Sequence, residues 1–186
     1  LLSPDTYTVT TGHQLNIFTG PLYFIYKIVT AIKLSRQLKA AFPDKNFVPV
    51  YWMASEDHDF AEINYTNIGG KKVHWWYEAS GATGRINPDT MRQAINQYKG
   101  ALGIEKHAAE LGEIVETAYT KFDKLADATR YLVNALFGQY VLVISDADDH
   151  RFKQSGAPVR AKDSIEQNSF KNIEATNKKL HDLGVH

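Results

Sequence analysis

Two short and almost wholly apolar runs indicate buried strands. They are Phe47–Ala54 (FVPVYWMA) and Tyr140–Ser145 (YVLVIS), and such runs are typical of strands covered on both faces of a parallel sheet. A third strand is predicted over 7–11, where β-branched and aromatic residues suit a pleated surface, and Gly12 ends it. Pro49 points to the start or an irregular edge of its strand, because proline cannot donate a ladder hydrogen bond.

Apolar residues at helical spacing predict a long helix over 21–41. Pro21 suits its first turn, and Pro43 closes it. A polar stretch containing Pro158 precedes the last of the other predicted helices, which cover 88–101, 105–122, 124–137 and 162–182.

Alternating polarity predicts a hairpin between the two apolar strands. Its strands cover 63–68 and 72–78, and the turn is Gly69-Gly70. The whole order of elements predicts an α/β fold with a Rossmann-like parallel sheet, into which the hairpin and a helical segment are inserted at about 62–137.

Composition narrows the class of protein. The 186 residues suit one domain, and 21 basic against 21 acidic side chains leave no chain-wide basic field, so no nucleic-acid partner is predicted. No run approaches 18 apolar residues, so no membrane partner is predicted either. The absence of cysteine excludes disulfides, thiolate metal sites and a cysteine nucleophile from this chain. Because the chain starts at Leu1 without methionine, we expect it to be a piece of a longer polypeptide.

Chemistry-bearing residues follow each of the three predicted parallel strands. Ligands of open α/β sheets bind beyond the carboxyl ends of the strands, which makes these three loops the candidate site. The loops cover 12–21, 55–59 and 146–150.

The first loop leads into a helix N-terminus, where unpaired N–H groups and the helix dipole favour an anion. Gly12 and Gly20 would allow a ligand to approach the backbone, while His13 and Gln14 add donors. The structural alternative is that the glycines only shape turns and that Thr19 caps the helix. The loop has neither the dinucleotide-binding glycine spacing nor a Walker A sequence.

The other two loops are acidic. The first of them is Ser55-Glu56-Asp57-His58-Asp59. Its carboxylates and imidazole suit general acid–base catalysis or the binding of a metal ion. The structural alternative is a solvated turn. Asp146 and Asp148 of the third loop suit ribose hydroxyls, an ammonium group or Mg²⁺, or they form an Asx-type turn.

Two long stretches are more specific than these short patterns: TGHQLNIFTGPLYFIYKIVTAIKL and VPVYWMASEDHDFAEIN. Together with YVLVISDADD and the closing LHDLGVH, they closely resemble the bacillithiol biosynthesis cysteine-adding enzyme family, BshC. The resemblance implies that 1–186 is the N-terminal, nucleotidyltransferase-like Rossmann core of a longer protein. It also implies a cytoplasmic homodimer, formed through a C-terminal coiled-coil region that this chain does not include.

The activity implied by the resemblance is amide-bond formation between cysteine and glucosaminyl-malate. ATP is the expected co-substrate, Mg²⁺ a candidate companion ion, and no tightly bound cofactor or protein-held metal is expected. No Lys-Met-Ser-Lys-Ser-type loop is present, so adenylation and phosphorylation both stay open. The implied catalytic residues are His58, Asp57, Asp59, Glu56 and His13. The implied substrate- or nucleotide-binding residues are Gly12, Gln14, Thr19, Gly20, Tyr23, Lys27 and Ser55. Asp146 and Asp148 are added to this set because of their place in the third strand-end loop.

A second function fits the same loops. A metal-dependent hydrolase could use the carboxylates after the two apolar strands together with His58 and His150.

Overall fold

The computed structural model describes residues 1–184, which form an α/β protein as predicted. The chain divides into two compact units, one over Leu1–Ala147 and one from Asp148 onward. The helices and strands follow in the order β1 (Thr6–His13), α1 (Leu22–Ala41), β2 (Asn46–Met53), α2 (Phe60–Ile63), β3 (Tyr65–Ile68), β4 (Lys71–His74), α3 (Arg92–Leu102), α4 (Ala108–Lys121), α5 (Leu125–Phe137), β5 (Val143–Asp146), α6 (His150–Glu166) and α7 (Asn168–Asp182).

A three-stranded parallel sheet organises the first unit. Its strand order is β1-β2-β5, so the most apolar strand lies in the middle. Val50 and Tyr51 of β2 are both buried. Because neighbouring residues of a strand point to opposite faces, this agrees with the prediction of a strand covered on both faces. The separate hairpin of β3 and β4 is antiparallel, also as predicted.

Pro49 does not mark the start or an edge of its strand, as the sequence suggested. It is the fourth residue of the central strand β2 and pairs with Val9 of β1. The sheet tolerates it because β5 pairs with β2 only from Val50 onward. At Pro49, β2 therefore has only β1 as a hydrogen-bonded neighbour, so no partner on the β5 side requires the N–H that proline lacks.

Helix α1 covers one face of the sheet with a stripe that includes Phe24, Ile28 and Ile32. It begins one residue later than predicted. Pro21 has extended φ/ψ and is the N-cap, so the first helical residue is Leu22.

The segment between β2 and β5 packs into the same hydrophobic core as the sheet. Trp75, next to the hairpin, is buried and donates from its indole nitrogen to the Thr90 hydroxyl at 2.8 Å. The predicted helix over 88–101 begins as a 3₁₀ turn at Pro88–Met91 before α3. Asn87 caps this turn, because its side chain accepts a hydrogen bond from the Asp89 amide.

A buried turn supports the loop that follows β2. The sequence predicts a flexible turn over 80–84, but Thr83 and Gly84 are buried in a 3₁₀ turn. The Thr83 amide donates to the Asp57 carbonyl at 2.7 Å, and the Gly84 amide donates to the Ser55 carbonyl at 2.9 Å. The inserted segment thus fixes the backbone of the second candidate loop.

The second unit consists of helices α6 and α7. Here the sequence prediction of one helix over 162–182 is wrong, because helix starts at His150 and Pro158 lies inside α6. The break between the two helices is Gln167, whose φ of 55° is left-handed. Helices α6 and α7 bury none of their side chains fully, and no helix formed by residues 1–184 is both long and apolar enough to cross a membrane.

Gly84→Ala should destabilise the protein by about 1–3 kcal/mol, because an added methyl group overpacks a filled site. A Cβ at this position would lie 2.6 Å from the Ser55 Cβ and 2.9 Å from its carbonyl oxygen. The matched control is Gly100→Ala in α3, where a Cβ meets nothing within 4 Å. Chemical denaturation should give an unchanged or slightly higher unfolding free energy for the control; equal stabilities of the two variants would contradict the close packing of this turn.

Candidate functional site at the carboxyl end of the sheet

The three parallel strands end at the same level. His13 pairs with Met53, and Met53 pairs with Asp146. Just beyond the strands, the Ala54 amide donates to the His13 carbonyl and the Ala147 amide donates to the Met53 carbonyl, both at 3.0 Å. The backbone therefore places the first two predicted loops and Asp146 at one edge of the sheet.

The Gln14 side chain joins the first loop to the second. Its amide nitrogen donates to Asp57 Oδ2 at 2.9 Å and to Glu62 Oε2 at 2.7 Å. Asn16, which is buried, donates to the Glu62 carbonyl at 3.1 Å. An amide nitrogen has two N–H groups, so Gln14 uses both to hold two carboxylates at the strand ends.

Asp57 is held as a carboxylate. The Asp59 amide donates to its Oδ1 at 2.8 Å, and this bond together with the Gln14 amide lowers the pKa of Asp57. A carboxylate with a lowered pKa is a weak base, which favours attraction of a cation over uptake of a proton.

His13 lies at the end of β1 beside the start of α1. Its ring centre is 5.5 Å from that of Tyr23 and 5.2 Å from that of Phe24. Burial lowers the pKa of His13, so the ring is neutral near pH 7. Its Nδ1 is 3.3 Å from the Gln14 carbonyl, which can only accept, so Nδ1 carries the proton and Nε2 is left as an acceptor.

The N-terminus of α1 is suited to an anion. No side chain caps it at Pro21, and its first turn contains no acidic residue. Lys27 lies one turn further along, where its ammonium group donates to the Gly12 carbonyl and lies 5.1 Å from the centre of the Tyr23 ring. Tyr23 itself is mostly exposed. Helix N–H groups and a nearby cation together favour a phosphate or carboxylate.

The turn before α1 is conformationally demanding. Phe18, Thr19 and Gly20 all have positive φ, at 53°, 64° and 47°. A Cβ on Gly20 would lie 2.3 Å from the Asn16 Cβ, so the backbone requires glycine here whatever ligand is bound. The alternative in which Thr19 caps the helix is wrong, because the cap residue is Pro21.

Buried contacts hold this turn in place. The Phe18 ring stacks on Tyr98 at 4.5 Å, and the Phe18 amide donates to the Tyr119 hydroxyl at 2.9 Å. The inserted helices α3 and α4 therefore fix the backbone that leads into α1.

Glu56, His58 and Asp59 are exposed in the second loop. Asp59 is the residue before α2, and its side chain makes no capping hydrogen bond there. These three side chains are accessible to solvent at the strand ends, whereas Asp57 is directed to Gln14.

Ser55 is wholly buried, and its hydroxyl donates to Asp146 Oδ1. On its other oxygen, Asp146 faces Arg130 of α5 at 3.6 Å. Arg130 also donates to the Ile144 carbonyl at 3.1 Å. Arg130 could not be recognised from the sequence, since a single arginine on an amphipathic helix carries no local signal of a site.

The rest of the third loop belongs to the second unit and makes local contacts there. Asp148 pairs with the Lys153 ammonium group. Asp149 accepts the Arg151 amide at 2.9 Å and caps α6, as in the predicted Asx-type alternative. The Arg151 side chain and amide lower the pKa of Asp149.

Within residues 1–184, no three His, Asp or Glu side chains lie together in a way that could hold a metal ion. The geometry of these residues thus gives no support to the metal-dependent hydrolase.

Residues 1–186 match the family described as "Bacillithiol biosynthesis BshC, N-terminal Rossmann-like domain". Similar curated proteins are each named "Putative cysteine ligase BshC". The one from Flavobacterium johnsoniae is 47% identical over 97% of this chain, and the one from Flavobacterium psychrophilum is 45% identical over 100% of it. A more distant one from Salinibacter ruber is 33% identical over 100% of the chain.

The chain spans about a third of the length of these relatives, namely 34%, 35% and 36%. The match over the full chain, the Rossmann-like sheet and the strand-end loops agree with one another. The chain belongs to the BshC family, and it corresponds to the family's N-terminal Rossmann-like domain.

Proposed function

We propose that this domain carries the active site of a ligase that joins cysteine to glucosaminyl-malate and so forms bacillithiol, with ATP as co-substrate. The observation that carries the proposal is the junction of His13, Gln14 and Asp57 beside the open N-terminus of α1, in a chain whose relatives are named as cysteine ligases. The chain thus combines an anion site and a carboxylate site at one sheet edge.

Amide formation requires an activated carboxyl group. ATP would convert the cysteine carboxylate into a mixed anhydride, and the amine of glucosaminyl-malate would then form the C–N bond while the anhydride C–O bond breaks. AMP and pyrophosphate leave after adenylation, whereas ADP and phosphate leave after phosphorylation. The amine loses one proton in this step, so a base is needed.

The residues at the α1 N-terminus fit the phosphates of ATP. The N–H groups of the first turn are donors, the Lys27 ammonium group is cationic, and this turn contains no acidic residue. The neutral His13 ring adds no negative charge beside them. Gly12, Thr19, Gly20 and Tyr23 shape or border the same place. Mg²⁺ would arrive with ATP and be held mainly by phosphates and water.

The second loop fits the amine of glucosaminyl-malate and the proton that this amine loses. Asp57 and Glu62, held by Gln14, would attract the ammonium group of a substrate. His58 is exposed at the same loop and is the better candidate to take the proton, because the lowered pKa of Asp57 makes it a weak base. Glu56 and Asp59 would add negative charge around the amine.

Ser55 and Asp146 have a positioning role in this proposal, since they tie the ends of β2 and β5 together. Asp148 pairs with Lys153 within the second unit, and this proposal gives it no role at the strand-end site. We also propose that the complete protein is cytoplasmic and that it forms a homodimer through a coiled-coil region outside this chain.

The direct test is an assay of the complete polypeptide with cysteine, glucosaminyl-malate and ATP. Mass spectrometry should detect bacillithiol, and omission of ATP should abolish it. The nucleotide product, ADP or AMP, identifies the route of activation. No bacillithiol under these conditions, together with normal bacillithiol in a deletion strain, would refute the ligase.

Lys27→Met should raise the KM for ATP about 10- to 100-fold, because it removes one charge-assisted contact to phosphate. The matched control is Lys33→Met, an exposed lysine on the same helix α1, which should keep the wild-type KM. Steady-state kinetics at varied ATP concentration would measure both. Equal KM values for the two variants would exclude ATP phosphates from this end of α1.

Gln14→Glu should destabilise the domain by about 1–3 kcal/mol and lower activity, because it places a third carboxylate against Asp57 and Glu62. The penalty should shrink as the pH falls towards about 4–5, where one of the crowded carboxyl groups takes up a proton. Gln97→Glu, at an exposed position of α3, is the matched control. Denaturation curves across this pH range measure the unfolding free energy of both variants. Equal losses of unfolding free energy, with the same dependence on pH, would contradict the account.

A further inference from the structure

A cavity of about 580 Å³ lies beside β5 and adjoins the site just described at Arg130. It is lined by Phe122, Asp127, Arg130, Tyr131, Asn134 and Ile144. Helix α5 provides four of these residues, namely Asp127, Arg130, Tyr131 and Asn134. Strand β5 provides Ile144. Its volume lies within the range of about 300–1,000 Å³ that is usual for small-molecule sites.

The cavity carries charges of both signs. Asp127 and Arg130 are three residues apart on α5 and therefore share one face of the helix, with Asn134 one turn further along. Within residues 1–184, the Asp127 carboxylate and the Asn134 amide make no recorded side-chain hydrogen bond or ion pair. A carboxylate, a guanidinium and an amide around one opening are the groups that recognise an ammonium and a carboxylate on the same small molecule.

Arg130 is well placed to bind a carboxylate. Its guanidinium donates to the Ile144 carbonyl at 3.1 Å and lies 3.6 Å from Asp146, yet 42% of the side chain is exposed. Guanidinium has five N–H donors, so donors remain for a ligand. Its contacts to β5 fix its position, and this lowers the entropic cost of binding.

The walls of the cavity are apolar and aromatic. The Phe122 and Tyr131 rings lie with their centres 5.5 Å apart and their planes at 40°, and Ile144 adds an aliphatic side. Aromatic rings make favourable contacts with sulfur. A short side chain that ends in a thiol suits such a wall.

We propose that this cavity binds the zwitterion of free cysteine, with the carboxylate on Arg130, the ammonium group on Asp127 and the thiol against Phe122 and Tyr131. The choice of cysteine among amino acids rests on the proposed function. Because Arg130 also contacts Asp146, the carboxyl group to be activated would lie at the β5 end of the cavity, next to the strand-end site.

The first test uses the unaltered complete protein and three thiols, titrated by calorimetry with a phosphine reductant. Cysteamine lacks the carboxylate and 3-mercaptopropionate lacks the ammonium group. Each should bind about 10- to 100-fold more weakly than L-cysteine, since each leaves one charged partner in the cavity unpaired. Binding of either analogue as tightly as cysteine would overturn the proposal.

The second test crosses variants with these ligands. Arg130→Met should reduce the affinity for cysteine to that for cysteamine and leave cysteamine binding unchanged. Asp127→Asn should reduce the affinity for cysteine to that for 3-mercaptopropionate and leave 3-mercaptopropionate binding unchanged. The controls Arg92→Met and Asp44→Asn, at exposed surface positions, should bind all three thiols as the wild type does. Asp127 is exposed on α5, so its variant keeps the test valid even if Arg130→Met does not fold.

The outcomes separate this inference from the proposed function. If the complete protein forms bacillithiol but both cavity variants bind cysteine normally, the cavity is not the cysteine site and the ligase stands. If the variants follow the expected pattern, but the complete wild-type protein forms no bacillithiol and a deletion strain keeps normal bacillithiol, the cavity binds the amino acid and the ligase is refuted.

Discussion

Parallel pairing of β1, β2 and β5 in one register determines where the candidate groups at the strand ends lie. His13, Met53 and Asp146 end their strands side by side, and backbone hydrogen bonds continue the pairing for one residue beyond the strands. A slip of one residue would turn each side chain to the opposite face of the sheet. The site thus depends on backbone geometry first, and its side chains act within the frame that this geometry sets.

Polar side chains then convert the aligned strand ends into a defined surface. Gln14 reaches across to the carboxylates of Asp57 and Glu62, while Ser55 and Arg130 both contact Asp146. The two groups of contacts leave different charges accessible: an open helix N-terminus with Lys27 on one side, and carboxylates on the other. This division suits a reaction between an anionic nucleotide and substrates that carry amines.

The sequence was informative where a physical property repeats along the chain. Apolar runs predicted β2 and β5, helical spacing predicted α1 and α3–α5, and the rule that ligands bind at strand ends pointed to the right edge of the sheet. Contacts between distant residues could not be predicted this way. Gln14 and Asp57 are 43 positions apart, and nothing near Arg130 in the sequence marks it as a partner of Asp146.

Local rules also failed where the surroundings outweighed them. Pro49 lies in the central strand because its side of β2 is not yet paired with β5, and Pro158 lies within a helix. Gly20 was expected to make room for a ligand, but the structure also requires it for a turn with positive φ against Asn16. In each case the deciding neighbour lies beyond the span of residues on which the rule depends.

We propose that the aligned strand ends, with the N-terminus of α1, bind the phosphates of ATP. A crystal structure of the complete protein with a non-hydrolysable ATP analogue tests it most directly. We expect the phosphate oxygens within hydrogen-bonding distance of the first α1 amides and of the Lys27 ammonium group. Phosphates bound elsewhere, with this end of α1 empty, would contradict the account.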